Sequence, residues 1–379
     1  MNSRKKHCNF LKKLSIFVFL SSFLFFVIFE FSFYRLGEIG NYAEIINQQK
    51  INDILFGPKL TQKATLDYKI KGTVIIKPDI LILGTSRIMQ INQKHFSHNK
   101  LYNAGVNSSA SQGLEGMIKL LNSIAKNDLP KHIIVGLDPW IFNPNYPKYS
   151  NKITLRGLVK NTLKTKPLIF NTVKLIVNSP RDLIKRLSSY RSLINQKTPW
   201  VHYLFSSRGF KGFGLIAKIL ETGYRFDGSY KYPKDFVEKE WIDQSIENHK
   251  ISLEKNAYRF PPASQLYNKS IDELKNILDF AIKNNIYITG LLPPFSPNFY
   301  SALTSMSDRS KFYQEYENKI CSIFQSYGFQ CFNFCDIQNN TIMKKYNNDF
   351  YDNIHPSEEL MGEITKQIMS SANLLNVQK

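Results

Sequence analysis

Five short apolar runs recur along the chain, and segments with helical spacing of their apolar residues separate them. Each run is nearly continuous instead of alternating with polar residues, which is the pattern of a parallel strand covered on both faces of its sheet. We therefore predict five parallel strands. They are residues 79–84, 101–106, 132–137, 286–292 and 329–335.

Helical patterns lie between or after these strands, at residues 111–125, 270–282, 308–327 and 357–369. Ser270 and Glu273 have the spacing of a capping box, and Gly328 follows the third helix where a glycine favours termination. The alternation predicts an α/β fold with a doubly wound, parallel five-stranded sheet. Ligands in such folds bind beyond the carboxyl ends of the strands.

A long segment, residues 141–265, interrupts this alternation without a clear parallel strand. We predict a basic, mainly helical insertion with a small hairpin around Asp227 and Gly228. Residues 151–235 contain 17 Lys and Arg against 4 Asp and Glu, which is thirteen of the chain's net +20 charges. Such a surface favours anionic neighbours, for example lipid head groups or an acidic glycan, although solvated helix faces explain basic runs equally well.

The N-terminus combines a basic flank, residues 1–13, with an apolar run from Leu14 that continues past Glu30 to Tyr34. The run approaches the ~20 residues needed to span a bilayer. The positive-inside rule places the flank in the cytoplasm and the main domain outside. No small-residue cleavage site follows, so we expect a transmembrane signal anchor at 14–34 and a linker at 35–78, with a cleaved signal peptide as the alternative.

Three of the four cysteines, Cys321, Cys331 and Cys335, fall in the part expected outside the cell membrane. An odd number permits one internal pair, Cys321 with either Cys331 or Cys335, and buried free thiols are the alternative. No Cys and His spacing matches a zinc site, and we expect no cofactor or metal.

A candidate nucleophile, Ser86, follows the first strand in the turn Gly-Thr-Ser-Arg. A serine here can cap a helix, or act as a nucleophile if a base lies near. Asp352 and His355 come after the last strand, where the carboxylate can orient the imidazole while the imidazole accepts the serine proton. Because parallel strands end at one edge, we predict that these three side chains meet, although Asp352 can also serve only a turn or a helix cap.

Together these motifs resemble the SGNH (GDSL-like) hydrolase superfamily. The resemblance rests on the Gly-x-Ser turn, the "NAGVNSSASQG" turn after the second strand and the terminal Asp-x-x-His-Pro, and it covers roughly 79–138 and 286–370. More narrowly, the chain resembles membrane-anchored relatives in envelope modification, such as the alginate acetylation proteins and the protein for D-alanyl transfer to teichoic acid. It implies an SGNH/flavodoxin-like domain in two parts, 79–140 and 266–379, on either side of the insertion. It also implies Ser86 as nucleophile, His355 as base and Asp352 as its orienting partner.

The chain departs from the family at the groups that hold the oxyanion. The second block places Asn107 or Ser108 where the family has a glycine, and the third places Asp138 where it has an asparagine amide. An ionised Asp138 cannot donate. Either it has another role, such as pairing with Arg87, or the donors are backbone N–H groups at Ser86 and Ser108 with the Asn107 side chain. Losing one donor typically costs ~10²-fold to 10³-fold in rate, which favours a slow or inactive enzyme.

The resemblance implies an extracytoplasmic serine esterase or O-acyltransferase, anchored in the bacterial cytoplasmic (inner) membrane. It would form an acyl-Ser86 intermediate and pass the acyl group to a cell-envelope polysaccharide or to water. Expected partners are an anionic envelope polymer or glycan and a multi-spanning acyl-export protein, and nucleic acid is not expected. The alternatives are a catalytically inactive relative that binds such a polymer or partner, and a phospholipase or thioesterase.

Overall fold

The structure, a computed structural model, describes residues 2–38, 40–58, 65–96, 99–106, 113–146, 211–233, 247, 251, 253–254, 260–337 and 343–371. The chain divides into two compact units, one formed by residues 1–61 and 151–221 and the other by residues 62–150 and 222–379. The described helices are α1 (Asn2–Leu36), α2 (Tyr42–Asn52), α3 (Thr65–Ile76), α4 (Gly113–Leu121), α5 (Pro139–Phe142), α6 (Leu215–Leu220), α7 (Asn268–Lys283), α8 (Pro297–Ser305), α9 (Ser307–Ser326) and α10 (Glu358–Ser371). The described strands are β1 (Ile80–Leu83), β2 (Leu101–Asn103), β3 (His132–Gly136), β4 (Gly223–Tyr224), β5 (Tyr230–Lys231), β6 (Tyr287–Leu292) and β7 (Gln330–Asn333).

In the first unit, the segment after α1 is paired with the residues that lead into α6. The Gly214 amide donates to the Leu36 carbonyl at 2.8 Å, and the Leu215 amide donates to Glu38 Oε1 at 2.7 Å. Helix α2 begins after Asn41, whose side chain accepts the Ala43 amide as an N-cap. These bonds satisfy backbone groups at the ends of α1, α2 and α6.

The apolar run at the N-terminus is part of helix α1. Among the residues whose placement is described, no helix is both long and apolar enough to cross a membrane. The prediction of a transmembrane anchor at 14–34 is therefore not confirmed. The run and the basic flank belong to one helix of 35 residues, Asn2–Leu36.

The second unit is built on a parallel five-stranded sheet with the order β2-β1-β3-β6-β7. All five predicted strands are present, and each is shorter than predicted. Strand β2 ends at Asn103 because that side chain accepts the Gly105 amide at 2.9 Å and bends the chain away from the ladder. The strand order reverses between β1 and β3, and this switch point is where doubly wound sheets bind ligands.

The predicted hairpin is confirmed, with Tyr224 of β4 opposite Tyr230 of β5. It is attached to the sheet, because the Asn103 amide donates to the Asp227 carbonyl at 2.7 Å and the Tyr230 amide donates to the Met89 carbonyl at 2.8 Å. The hairpin therefore lies against the carboxyl edge of β1 and β2. The residues that carry most of the predicted basic charge, 151–210, lie outside the described residues.

The ends of the three later helices lie within two residues of the predictions, whereas the first, predicted to reach residue 125, ends at Leu121. Gly328 has φ +76° just after α9, as a terminating glycine should. The predicted capping box of Ser270 and Glu273 is wrong, because α7 already begins at Asn268. The Ser270 hydroxyl donates instead to the Ile141 carbonyl at 2.7 Å, so this buried serine joins two segments.

An apolar core lies between the sheet and helix α10. It joins Ile80 and Ile82 of β1 to the inner face of α10, which contributes Leu360, Ile364 and Ile368. The core fixes α10, and α10 follows His355 by three residues. Packing of this helix therefore helps to place the histidine.

Candidate active site

Ser86 begins a 3₁₀ turn, Ser86–Ile88, directly after β1. The turn is anchored by Ile88, which is fully buried. A Cβ on Gly136 would lie 2.4 Å from Ile88 Cγ2, and a Cβ on Gly105 would lie 2.5 Å from Ile88 Cδ1. Glycine at these two positions therefore makes room for the side chain that holds the turn. Ser86 itself is 7% exposed.

Ser86, His355 and Asp352 form a continuous chain of hydrogen bonds. Ser86 Oγ lies 2.8 Å from His355 Nε2, and His355 Nδ1 lies 2.7 Å from Asp352 Oδ2. A neutral imidazole that donates from Nδ1 to the carboxylate leaves Nε2 as an acceptor for the serine hydroxyl. The arrangement is that of a nucleophile, a general base and a carboxylate that orients the base.

Asp352 also builds the turn that carries the histidine. Its Oδ1 accepts the amides of Ile354 and His355, each at 2.7 Å, while Oδ2 faces the imidazole. Both predicted roles, turn former and orienting partner, thus apply to one carboxylate. The cap of α10 is a different residue, because the Leu360 amide donates to Ser357 Oγ at 3.1 Å.

Arg87 lies entirely inside the protein, with 0% exposure, and binds three separate segments. Its Nε donates to the Ile354 carbonyl at 3.0 Å, directly before His355. One terminal nitrogen donates to the carbonyls of Pro293 and Pro294 at 2.7 and 2.6 Å, and the guanidinium lies 3.8 Å from the centre of the Phe295 ring. Arg87, the residue after Ser86, therefore fixes the turn that carries His355.

Asp138 completes this arrangement across the switch point. Its Oδ1 accepts Arg87 at 2.9 Å, and its Oδ2 accepts the Thr85 hydroxyl. Burial raises the pKa of the Asp138 carboxyl, and the charge of Arg87 and the hydrogen bonds from Thr85 and Arg87 offset part of that rise. Because both oxygens accept, Asp138 is not a donor to an oxyanion. Asp138 therefore has one of its predicted roles, the ion pair with Arg87.

The predicted oxyanion donors Asn107 and Ser108 lie outside the described residues. Of the neighbouring amides, that of Gly105 donates to Asn103 Oδ1 at 2.9 Å and that of Val106 donates to the Gly84 carbonyl at 3.2 Å. Those two amides are therefore engaged inside the protein.

The loop after β6 is a further support of the site. The Ser296 amide donates to the Asn353 carbonyl and its hydroxyl donates to Asn353 Oδ1, both at 3.0 Å. Together with the proline carbonyls that bind Arg87, this ties the β6 loop to the histidine turn. The sequence signal was the pair Pro293-Pro294, which ends regular hydrogen-bonded structure after β6 because proline has no N–H to donate.

Two tyrosines lie beside the histidine, and sequence reasoning did not assign them to the site. Tyr232 follows the hairpin strand β5, and its ring stacks on that of Tyr351 at a centroid distance of 4.7 Å. The Tyr232 ring centre is also 5.9 Å from that of His355. Both tyrosines are partly exposed.

Within the described part of the chain, no three His, Cys, Asp or Glu side chains are grouped so as to hold a metal ion. No family model, curated protein or solved structure matches the chain.

Proposed function

We propose that the chain is a serine esterase or O-acyltransferase that works through an acyl-Ser86 intermediate. The proposal rests on the chain of hydrogen bonds between three side chains, which we call the relay. Ser86 Oγ lies 2.8 Å from His355 Nε2, and His355 Nδ1 lies 2.7 Å from Asp352 Oδ2. An isolated serine is a weak nucleophile, and an adjacent general base is what activates it.

In the proposed first half-reaction, Ser86 Oγ attacks the acyl carbonyl while its proton passes to His355 Nε2. Asp352 stabilises the resulting imidazolium. The tetrahedral intermediate then collapses, and His355 gives the proton to the departing alcohol or thiol. In the second half-reaction water or a hydroxyl group attacks the acyl carbon, His355 takes its proton, and Ser86 is released with that proton.

The donors proposed for the oxyanion are the backbone N–H groups of Ser86 and Ser108, assisted by the Asn107 side chain. This assignment rests on the sequence resemblance. Asp138 has no part in it, since its carboxylate is engaged by Arg87 and Thr85. One donor fewer costs ~10²-fold to 10³-fold in rate, so we expect slow turnover with unactivated esters.

Membership of the SGNH superfamily is part of the proposal. It is supported by the place of the nucleophile after the first strand of a sheet whose order reverses beside it, with the acid and base together after the last strand. An envelope polysaccharide as acyl acceptor and an acyl-export protein as partner rest on the sequence resemblance alone.

We also propose an extracytoplasmic location. Cys321 and Cys331 are joined by a disulfide, while Cys335 is a buried free thiol. Structural disulfides persist in oxidising compartments and are rare in the cytosol. The pair is one of the two that the sequence left open.

The test uses the full-length chain with p-nitrophenyl acetate, quenched rapidly and measured by intact-mass spectrometry and peptide mapping. We expect one acetyl group on the peptide that contains Ser86, and none in Ser86→Ala. Ser305→Ala, which changes an exposed serine of α8, is the matched control and should be acetylated like the native chain. Absence of both the adduct and any Ser86-dependent release of p-nitrophenol would overturn the proposal.

A further inference from the structure

A line of aromatic rings runs from the β4–β5 hairpin to the histidine. Tyr224 contacts Tyr230 at 5.0 Å between ring centres, Tyr230 contacts Tyr232 at 5.2 Å, and Tyr232 stacks on Tyr351 at 4.7 Å. Tyr224 is buried, whereas the last three tyrosines are partly exposed. The line therefore ends at the surface, next to His355.

The end of this line is where the alcohol portion of a substrate has to lie. His355 carries the proton of the alcohol that leaves or attacks, so the oxygen of that alcohol must come within hydrogen-bonding reach of Nε2. The carbon skeleton bonded to this oxygen then lies alongside the imidazole. The aromatic ring of Tyr232 lies there, 5.9 Å from the imidazole centre.

Both rings are held in fixed positions relative to the nucleophile turn. The Tyr351 amide donates to the His355 carbonyl at 2.9 Å. The hairpin that carries Tyr232 is held by the bond from the Tyr230 amide to Met89, three residues after Ser86, and by an ion pair of 2.9 Å between Arg225 and Glu358. The stacked pair is thus a preformed surface, which lowers the entropic cost of binding a ring against it.

The surroundings of the pair favour a sugar over an alkyl chain. Burial raises the pKa of Tyr351, the charges of Glu358 and Glu359 raise it further, and the charge of Arg225 lowers it, so the aromatic surface has a charged rim. Outside α1, the described large hydrophobic side chains that are well exposed are Ile51, Ile251 and Ile282, and none belongs to the turns that form the site. A pyranose offers an apolar C–H face to an aromatic ring and hydroxyl groups to a polar rim, whereas a long alkyl chain needs an apolar groove.

We infer that Tyr232 and Tyr351 form the acceptor subsite and that this subsite binds a sugar ring whose hydroxyl group is directed at His355 Nε2. The inference rests on the proposed function and gives the class of its acceptor. In the transfer step a bond forms between the sugar oxygen and the acyl carbon, and the bond from that carbon to Ser86 Oγ breaks. The sugar proton passes through His355 to Ser86.

The test measures how acetyl-Ser86 is partitioned between an added alcohol and water, with p-nitrophenyl acetate as donor. Methyl glucopyranoside and cyclohexanol are the two alcohols. Tyr351→Leu and Tyr232→Leu should each lower the ratio of sugar transfer to hydrolysis by about tenfold, and Tyr351→Phe should restore it. Tyr327→Leu, at the end of α9 on the opposite edge of the sheet, is the matched control and should keep the native ratio.

An unchanged ratio in both leucine variants would overturn the subsite. An equal fall for cyclohexanol and the sugar would overturn the sugar assignment. If acetyl-Ser86 never forms, the proposed function fails, and the subsite is then decided by saturation-transfer NMR of methyl glucopyranoside on the Ser86→Ala chain. Binding that is lost in Ser86→Ala/Tyr351→Leu would support the subsite, and no binding to Ser86→Ala would contradict it.

Discussion

Charged side chains are buried at the carboxyl edge of the parallel sheet and exposed at its amino edge. At the carboxyl edge Arg87 and Asp138 are buried and paired, and Asp352 is nearly buried against His355. At the amino edge the ion pair between Lys131 and Asp79 is exposed, at 3.7 Å. The buried titratable group there is His132, whose Nε2 lies 2.9 Å from Thr289 Oγ1 and which is held as a neutral ring.

Buried charge is costly, and it persists only where hydrogen bonds satisfy it. Arg87 satisfies this condition because four carbonyl or carboxylate oxygens from three segments accept its N–H groups. The same bonds place the serine turn against the histidine turn. The comparison indicates that the carboxyl edge buries charged groups, at a cost in folding free energy, in order to position the site. The amino edge contributes packing.

The largest expected effect is on activity at the carboxyl edge. Asp352→Asn keeps an oxygen for the Ile354 and His355 amides but loses the charge that holds the imidazole tautomer, so we expect acetylation of Ser86 to fall by ~10⁴-fold with the fold retained. Single-turnover acetylation and thermal unfolding measure the two quantities. Asp79→Asn, at the amino edge, is the control, and a similar loss there would break the comparison.

Removing Arg87 should cost both stability and activity. Arg87→Met leaves Asp138 buried without its partner, so we expect the free energy of unfolding to fall by about 3–5 kcal/mol. Arg87→Lys should not restore acetylation, because one ammonium group cannot reach the carbonyls of Ile354, Pro293 and Pro294 together. Denaturant unfolding is the measurement. If the double variant Arg87→Met/Asp138→Leu recovers stability but not activity, Arg87 is needed for positioning the site as well as for stability. Full activity in Arg87→Met would contradict the positioning role.

The amino edge should make stability dependent on pH. Burial lowers the pKa of His132 from 6.5 to about 4, so between these values the unfolded chain binds a proton that the folded chain does not. The free energy of unfolding is therefore highest above pH 6.5. It falls as the pH drops towards 4, and the His132 contribution to this fall is up to about 3 kcal/mol. His95, whose pKa is also about 4, contributes in the same window. Urea unfolding of the native chain and His132→Gln from pH 4 to 7 isolates the His132 part, and parallel pH curves would contradict it.

The smallest effect is expected from the exposed pair. Lys131→Ala should change the free energy of unfolding by no more than about 1 kcal/mol, since solvent screens the 3.7 Å pair with Asp79. Unfolding at low and high salt measures it. A loss as large as that of Arg87→Met would show that the two edges do not differ as described.

Local patterns were enough to predict the sheet and the three residues of the relay. Continuous apolar runs locate parallel strands, and parallel strands bring the residues that follow them to one edge, so Ser86 and His355 meet despite their separation in sequence. The predicted capping box at Ser270 was wrong because the Ser270 hydroxyl bonds to the Ile141 carbonyl, from a distant part of the chain, and not to its own helix. Strand ends were overestimated because side chains such as Asn103 bend the chain while it is still apolar.

The support of the site was not predictable in the same way. Arg87 pairs with backbone carbonyls of Ile354, Pro293 and Pro294, and carbonyls carry no signature in a sequence. Tyr232 reaches His355 only because the hairpin is bonded to β2 and to the turn after Ser86. Pairings of this kind depend on the assembled fold and not on any local pattern.

The most direct test of the relay is the rate at which a fluorophosphonate labels Ser86 in the full-length chain, followed by intact-mass spectrometry. In the native chain we expect a single adduct that is absent from Ser86→Ala, and in His355→Gln a labelling rate lower by at least ~10³-fold. No adduct on the folded native chain, or an equal rate in His355→Gln, would contradict the proposal that His355 activates Ser86.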